Sequence, residues 1–381
     1  MSYPRRAFLS AAGVTVASGC LGIGGPSGDG DGDTGNGTTD GGATTETTAG
    51  NDTASGTPDE ATPTRSDVSL LLNWKPSGLH VPYYAARAEG FYEAEGLTLS
   101  SIESGQGSDF SAKQVGLGNT PFAVTSADQV LNVNSRELSP RSVGVVMQRS
   151  PVVLFATRES LGGEFTGVEQ LRGKRLGTGP GMVRLLSTLL LEEAGVREEV
   201  ELVDTGFDTV QRLLTGDIDA AGGVFGDVVD ARHQGATVDS VPVAAEIPSY
   251  GHVIATPPSL GEEHPETVRA FLRATAHGAA WATNNPEAAT DHLVEAVPAL
   301  SESRDRQRDK WELMSREFVL SGAVREQGWG WSQSDPWATM HETLTGADSL
   351  GGEVDPASVW TNDYLDLEAT YVGSYAEQVG D

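Results

Sequence analysis

The chain has a single cysteine in 381 residues, Cys20, which excludes an intramolecular disulfide framework and a cysteine-rich zinc module. Lysine is scarce too, at four (Lys75, Lys113, Lys174 and Lys310), and 25 basic side chains stand against 54 acidic ones for a formal net charge of −29. So anionic a surface repels phosphate backbones and acidic headgroups, and no nucleic-acid partner is expected. After the first twenty residues no apolar run approaches the ~18 residues of a membrane span. The histidines (His80, His233, His252, His264, His277, His292 and His341) form no pair at metal-ligand spacing, and there is no Gly-x-Ser-x-Gly elbow. No metal, no cofactor and no catalytic residue is therefore expected.

What is abundant is carboxylate. A lysine-poor, acid-rich surface suits a protein kept hydrated in concentrated salt, where a Debye length of roughly 3 Å at 1 M screens its self-repulsion, so a halophilic source is expected. The opening MSYPRRAFLSAAGVTVASGC resembles a twin-arginine export signal, with Arg5 and Arg6 before an apolar stretch too short to span a bilayer. Ala17-Ser18-Gly19-Cys20 looks like a lipobox, which makes Cys20 the expected lipid anchor and residues 1–20 the signal. Residues 21–65 hold 12 Gly, 11 Thr and eight acidic side chains with almost nothing to bury, as expected of an extended tether. The sequons at Asn36 and Asn51 fall within it, their glycosylation open.

The remaining 316 residues suit two lobes better than one core. Short apolar runs (VSLLLNW, SVGVVMQ, PVVLFAT, KRLGT, EVELVDT, HVIAT) alternate with helical patterns over 79–89, 182–193, 209–215 and 265–283. Strands alternating with helices predict an α/β fold with parallel-rich sheets, and the C-terminal third reads as mainly helical.

Gly177-Thr-Gly179-Pro-Gly181-Met182 follows a strand candidate and opens a helix, but it matches neither the dinucleotide nor the P-loop fingerprint. It is either a tight turn or a helix N-terminus open to an electronegative ligand atom. Trp74 at the end of the first strand is placed to stack on a flat ligand, since such strand ends open onto the cleft of α/β folds. Tyr83 and Tyr84, on the following helix, read as core or surface rather than ligand-facing. His80 reads as structural or as a cleft hydrogen-bonder.

The segment LLNWKPSGLHVPYYAARAEGFYEAEGL, residues 71–97, resembles the opening of the thiamine-pyrimidine branch of the nitrate/sulfonate/taurine-type ABC-transporter substrate-binding proteins. The matching residues are Asn73, Trp74, Pro76, His80, Gly90, Phe91, Tyr92, Gly96 and Leu97. LRGKRLGT, TGDIDAAGGVFG, HPETVRAFLRATAHGAAWATNNPEAA and VWTNDYLDL look like later landmarks in the same order. The resemblance implies a bilobal type II periplasmic-binding fold, one lobe from 66–157 plus 251–381, the other from 158–250, joined by a two-crossing hinge.

It also implies a monomeric, extracytoplasmic binder on the outer face of the cytoplasmic membrane, serving an ABC permease and its ATPase. The implied ligand is a planar heteroaromatic thiamine precursor of the aminopyrimidine type. Sulfonate, nitrate, taurine and riboflavin-like ligands are the alternatives. Trp74 would stack on the ring, Asn73 and His80 would bond its edge, and backbone at Gly179 and Gly181 would meet a substituent, with Ser126, Phe225 and Tyr250 as further cleft residues. Fungal pyrimidine-precursor synthases share the pattern but carry a PLP-bearing Lys and a His where Thr125 and Gln129 align here, and a Cys cluster where this chain reads EIPSYGHVIA. Lacking those groups, the chain is expected to bind and not to react.

Overall fold

A computed structural model of the chain describes residues 62–179, 181–206 and 208–380. The expected signal, the anchor Cys20, both sequons and all but the end of the tether lie outside the described residues. The tether's last residues are held: the Thr64 hydroxyl lies 2.8 Å from His264 Nδ1, and Arg65 exchanges backbone hydrogen bonds with the Thr267 hydroxyl.

Ten strands follow in chain order: β1 (Asp67–Leu71), β2 (Thr98–Glu103), β3 (Phe122–Ser126), β4 (Arg141–Val145), β5 (Val152–Thr157), β6 (Arg175–Thr178), β7 (Glu201–Asp204), β8 (Ala220–Val224), β9 (Val238–Pro242) and β10 (His252–Thr256). They form two five-stranded sheets, ordered β2-β1-β3-β10-β4 and β7-β6-β8-β5-β9. The orders are the same pattern twice. Three parallel strands come first, then one antiparallel strand that separates them from the last. The antiparallel member is β10 in the first sheet and β5 in the second, the two strands that follow the chain's crossings between sheets.

Central strands read as unbroken apolar runs because both faces are covered. In β5, Val-Val-Leu-Phe-Ala-Thr, every residue is buried. β5 pairs with β8 and β9, so Val152–Thr157, placed by the sequence reading at the end of the first lobe, belongs to the second sheet. β8 escapes an apolar-run reading because Ala-Ala-Gly-Gly-Val carries almost no bulk. β9 ends in Pro242, which an edge strand tolerates since no ladder needs its N–H.

The helix Pro265–Asn284 begins with proline, carries Glu266 in its first turn and buries Val268, Phe271, Leu272 and Ala276 along one face. Phe271 stacks on Phe122 of β3 with ring centroids 3.9 Å apart. Gly278 lets the helix approach Val81–Ala88 closely, as a Cβ there would lie 2.6 Å from Pro82 O.

The crossings run through 146–151 and 243–251 and are fastened together. Gly251 N donates to Met147 O, and the His252 carbonyl accepts from both Val146 N and Met147 N. A Cβ on Gly251 would lie 2.8 Å from Pro151 Cδ and 2.9 Å from Met147 Cβ, so only glycine fits. A third contact joins the helix Arg304–Met314 to the helix Phe225–His233: Lys310 Nζ lies 2.8 Å from Asp230 and His233 lies 2.8 Å from Asp309. Among the described residues, no helix is long and apolar enough to cross a membrane.

Candidate functional site

β1 stops at Leu71, and the chain leaves the sheet through Asn73 and Trp74, three residues short of where the apolar run suggested the strand would end. The loop after β2 pins this exit, with Gly105 N donating to Trp74 O and Gly107 N to Asn73 O. Ser77 then caps the short helix Gly78–His80, and its backbone N–H donates to His80 Nδ1 at 3.2 Å.

That bond sets the protonation pattern. A backbone N–H can only donate, so Nδ1 of His80 is the bare nitrogen and Nε2 carries the proton. Nε2 donates to Asn73 Oδ1 at 2.8 Å, which turns the Asn73 amide nitrogen toward His252 Nε2 at 3.0 Å and Ser108 Oγ at 3.4 Å. His252 Nε2 therefore accepts, and its proton sits on Nδ1, which has no acceptor among the described residues. Burial, reinforced by His252, pulls the His80 pKa down to about 3, and burial lowers that of His252 to about 4, so both rings are neutral near pH 7.

Opposite stand residues at the C-terminal ends of the parallel strands of the second sheet: Gly179 after β6, Gly206 after β7, and Gly222 to Val224 of β8. Between them and Asn73, Trp74, Ser108 and His252 lies a cleft of about 430 Å³, within the ~300–1,000 Å³ of small-molecule sites. The Trp74 indole is 42 % exposed at its rim. Asp227, in the first turn of the helix Phe225–His233, also lines it; its carboxylate accepts from Val224 N at 2.8 Å, and burial raises its pKa. A Cβ on Gly223 would collide with that carboxylate, which is why the floor is glycine.

An inner chamber of about 160 Å³ shares the Asn73, Ser108, Val224 and His252 walls and adds Ser126, Asp128, Ser150 and Tyr250. A larger groove, about 880 Å³, lies against the helix Pro265–Asn284, but its arginines pair with its own carboxylates, Arg273 with Glu95 and Arg269 with Glu266, both at 2.7 Å. It receives nothing from the second sheet.

Of the residues singled out from sequence, Asn73, Trp74 and Gly179 line the cleft, and Ser126 and Tyr250 line the inner chamber. His80 does not reach it; 1 % exposed, it stands behind Asn73 and orients it. Gly181 is exposed outside both cavities, capping the helix Met182–Glu193 with a φ of +77°. Phe225 turns inward, stacked on Phe318 at 4.3 Å. Tyr83 and Tyr84 are buried. Sequence reasoning missed His252, Ser108 and Asp227. His252 was visible only as the first residue of a strand candidate, and nothing in its spacing ties it to Asn73, 179 positions earlier.

Residues 78–289, more than half of the chain, match the model of the NMT1/THI5-like family. The chain belongs to that family. Among relatives of this NMT1/THI5-like protein, the riboflavin-binding protein RibY of Chloroflexus aurantiacus is 27% identical over 313 residues, covering 80% of this chain and 88% of RibY. The 4-amino-5-hydroxymethyl-2-methylpyrimidine phosphate synthase of Legionella pneumophila is 28% identical over 243 residues (62% and 75%). The formylaminopyrimidine-binding protein of Halalkalibacterium halodurans is 28% identical over 236 (60% and 69%). Among solved structures, the periplasmic nitrate-binding protein NrtA of Synechocystis superposes with a TM-score of 0.60 at 10% identity, over 84% of this chain and 92% of NrtA. This NMT1/THI5-like chain thus has the α/β two-sheet fold of periplasmic binding proteins, with mixed sheets and flanking helices.

Proposed function

We propose that the protein is the extracytoplasmic substrate-binding component of an ABC importer and captures a planar heteroaromatic nutrient, of the class that includes aminopyrimidine thiamine precursors and flavins, without altering it. One observation carries the reading: the cleft sets an exposed indole and an oriented amide from the first sheet against a glycine floor from the second. Indole and glycine offer flat apolar faces, while Asn73, His252 and Asp227 bring polar side chains to the same cleft.

No lysine or arginine lines the cleft or the inner chamber among the described residues, whereas Asp227 and Asp128 do. A sulfonate or nitrate would meet carboxylates without a compensating cation. The synthase alternative lacks its nucleophile: Thr125 is buried and donates to Ser108 O at 2.7 Å, and Gln129 donates to Asp128 at 2.6 Å. No amine stands there for a Schiff base.

On this reading the two sheets are the cores of two lobes that close on the ligand by bending at 146–151 and 243–251. The closed monomer presents its cargo to a membrane permease and its ATPase, and the twin-arginine signal and Cys20 bring the chain to the outer face and tether it there. The deciding experiment is native mass spectrometry of protein purified in high salt, followed by identification of what co-purifies and calorimetry with it. A one-to-one complex with a heteroaromatic supports the reading; an alkyl sulfonate or nitrate in its place overturns it.

A further inference from the structure

The helix Arg304–Met314 packs four of the chain's 25 basic side chains into 11 residues, and they face two ways. Arg304 and Arg308 lie 2.7 and 2.6 Å from Glu287 of the helix Pro286–Ala296, whose Ala289 and Leu293 share a core with β1. Arg306 and Lys310 lie 3.4 and 2.8 Å from a single carboxylate, Asp230 of the helix Phe225–His233, which follows β8 of the second sheet. Residues four apart share one helix face, so one face of this helix holds to the first sheet's side and another reaches across to the second. About a turn beyond Asp230, His233 lies 2.8 Å from Asp309.

This junction changes character along its length. At the end nearest the crossings it is aromatic. Phe225 N donates to Pro151 O, and the Phe225 ring stacks on Phe318, over which the Arg149 guanidinium sits at 4.8 Å. Both phenylalanines are buried, so parting them would return two aromatic rings to water. At a rise of ~1.5 Å per residue, Asp230 and His233 stand roughly 8 and 12 Å further along the helix, and there the contact is ionic. Ions that separate regain their hydration, so partly exposed pairs break at small cost.

The helix Arg304–Met314 is also fixed to the turn behind the cleft. Gly78 N donates to Gln307 Oε1 at 2.8 Å, and a side chain at Gly78 would overlap Gln307 O. The neighbouring Ser77 N–H holds His80, which orients Asn73.

We propose that this junction is a latch between the lobes. Its aromatic end is a pivot that stays packed, while the Asp230 and His233 pairs form on closure and break on opening, biasing the ligand-free protein toward the closed form. None of Asp230, His233, Arg306, Asp309 and Lys310 lines the cleft or the inner chamber, so the latch acts whatever the ligand is. The inference rests on the reading of the two sheets as cores of lobes that bend at the crossings.

The test is pulsed dipolar electron paramagnetic resonance on the full chain in a Cys20→Ser background, shown by native mass spectrometry to be free of ligand. One pair of spin labels, at Leu117→Cys and Glu198→Cys, spans the lobes; a second, at Glu159→Cys and Glu198→Cys, lies within the second lobe, and all three positions are exposed. In Asp230→Asn the distance across the lobes lengthens by several ångströms, in His233→Gln it lengthens by less, and the distance within the second lobe stays unchanged. Thermal melting checks both variants, and His233→Gln decides if Asp230→Asn does not fold. A distance across the lobes that does not move overturns the latch and leaves the lobes standing. Movement of both distances means that the sheets do not travel as bodies, and overturns both readings.

Discussion

His80 and Asn73, seven residues apart, share a 2.8 Å hydrogen bond in which the imidazole faces away from the cleft and the amide faces into it. The histidine acts through the asparagine. Replacing His80 with Ala frees the Asn73 amide to rotate and weakens ligand binding by about tenfold, the scale of one lost hydrogen bond. In a double-mutant cycle with Asn73→Ala the two losses do not add, because both remove the same oriented amide. Additive losses would place His80 in an independent role.

Acid weakens the fold through His80 and His252. Unfolded histidine takes a proton below about pH 6.5, whereas the buried rings stay neutral until about 4 for His252 and about 3 for His80. Over that window the unfolded state binds more protons, so stability falls as pH drops from 6.5 toward 4, by up to about 1.4 kcal/mol per unit for each ring. Asp227 and Asp128, whose pKa values are raised, oppose this at the acid end. Denaturant midpoints from pH 7 to 4 show the fall, and His252→Gln flattens it.

Trp74→Ala weakens ligand binding by roughly 1–3 kcal/mol, the worth of one ring-on-indole stack. Because this indole is exposed while those of Trp311, Trp329 and Trp337 are buried, ligand quenches a red-shifted part of the tryptophan emission that the variant lacks. Calorimetry and fluorescence titration read the two effects separately.

Gly251→Ala forces apart the two crossings, where its Cβ would press on Pro151 and Met147. The expected loss is about 1–3 kcal/mol, typical of overpacking. Binding weakens with it, since the neighbouring His252 moves; thermal melting and calorimetry check the pair of effects.

Lys310→Met leaves the half-buried Asp230 with Arg306, 3.4 Å away, as its remaining cation among the described residues, and lowers stability by about 1 kcal/mol. Adding Asp230→Asn recovers most of that loss, as neutralising both partners of a half-buried pair does. Urea titrations of the wild type, two single variants and the double variant decide it.

The parts of this molecule that were legible in sequence are those whose signal is local. Asn73 and Trp74 stand beside an apolar run that stops, Gly179 follows one, and Pro265 opens a helix whose apolar residues recur on one face. His252 was not legible because it reaches Asn73 only through the antiparallel insertion of β10 between β3 and β4. Phe225 and Gly181 misled for a similar reason. Each adjoins a cleft residue in sequence, but a strand turning into a helix sends Phe225 toward Phe318, and a glycine cap leaves Gly181 facing solvent. Asp227 looked like one more acid on an acidic surface until the backbone of Val224 claimed it.

The doubled strand order has a consequence for the newborn chain. Residues 152–242 contain every strand of the second sheet, so that sheet can finish as soon as its own stretch has been synthesised. The first sheet must wait. β4 has no strand to join until residues 252–256 arrive after the whole of the other sheet, so a ribosome halted before that point holds one finished layer and one with its seam still open.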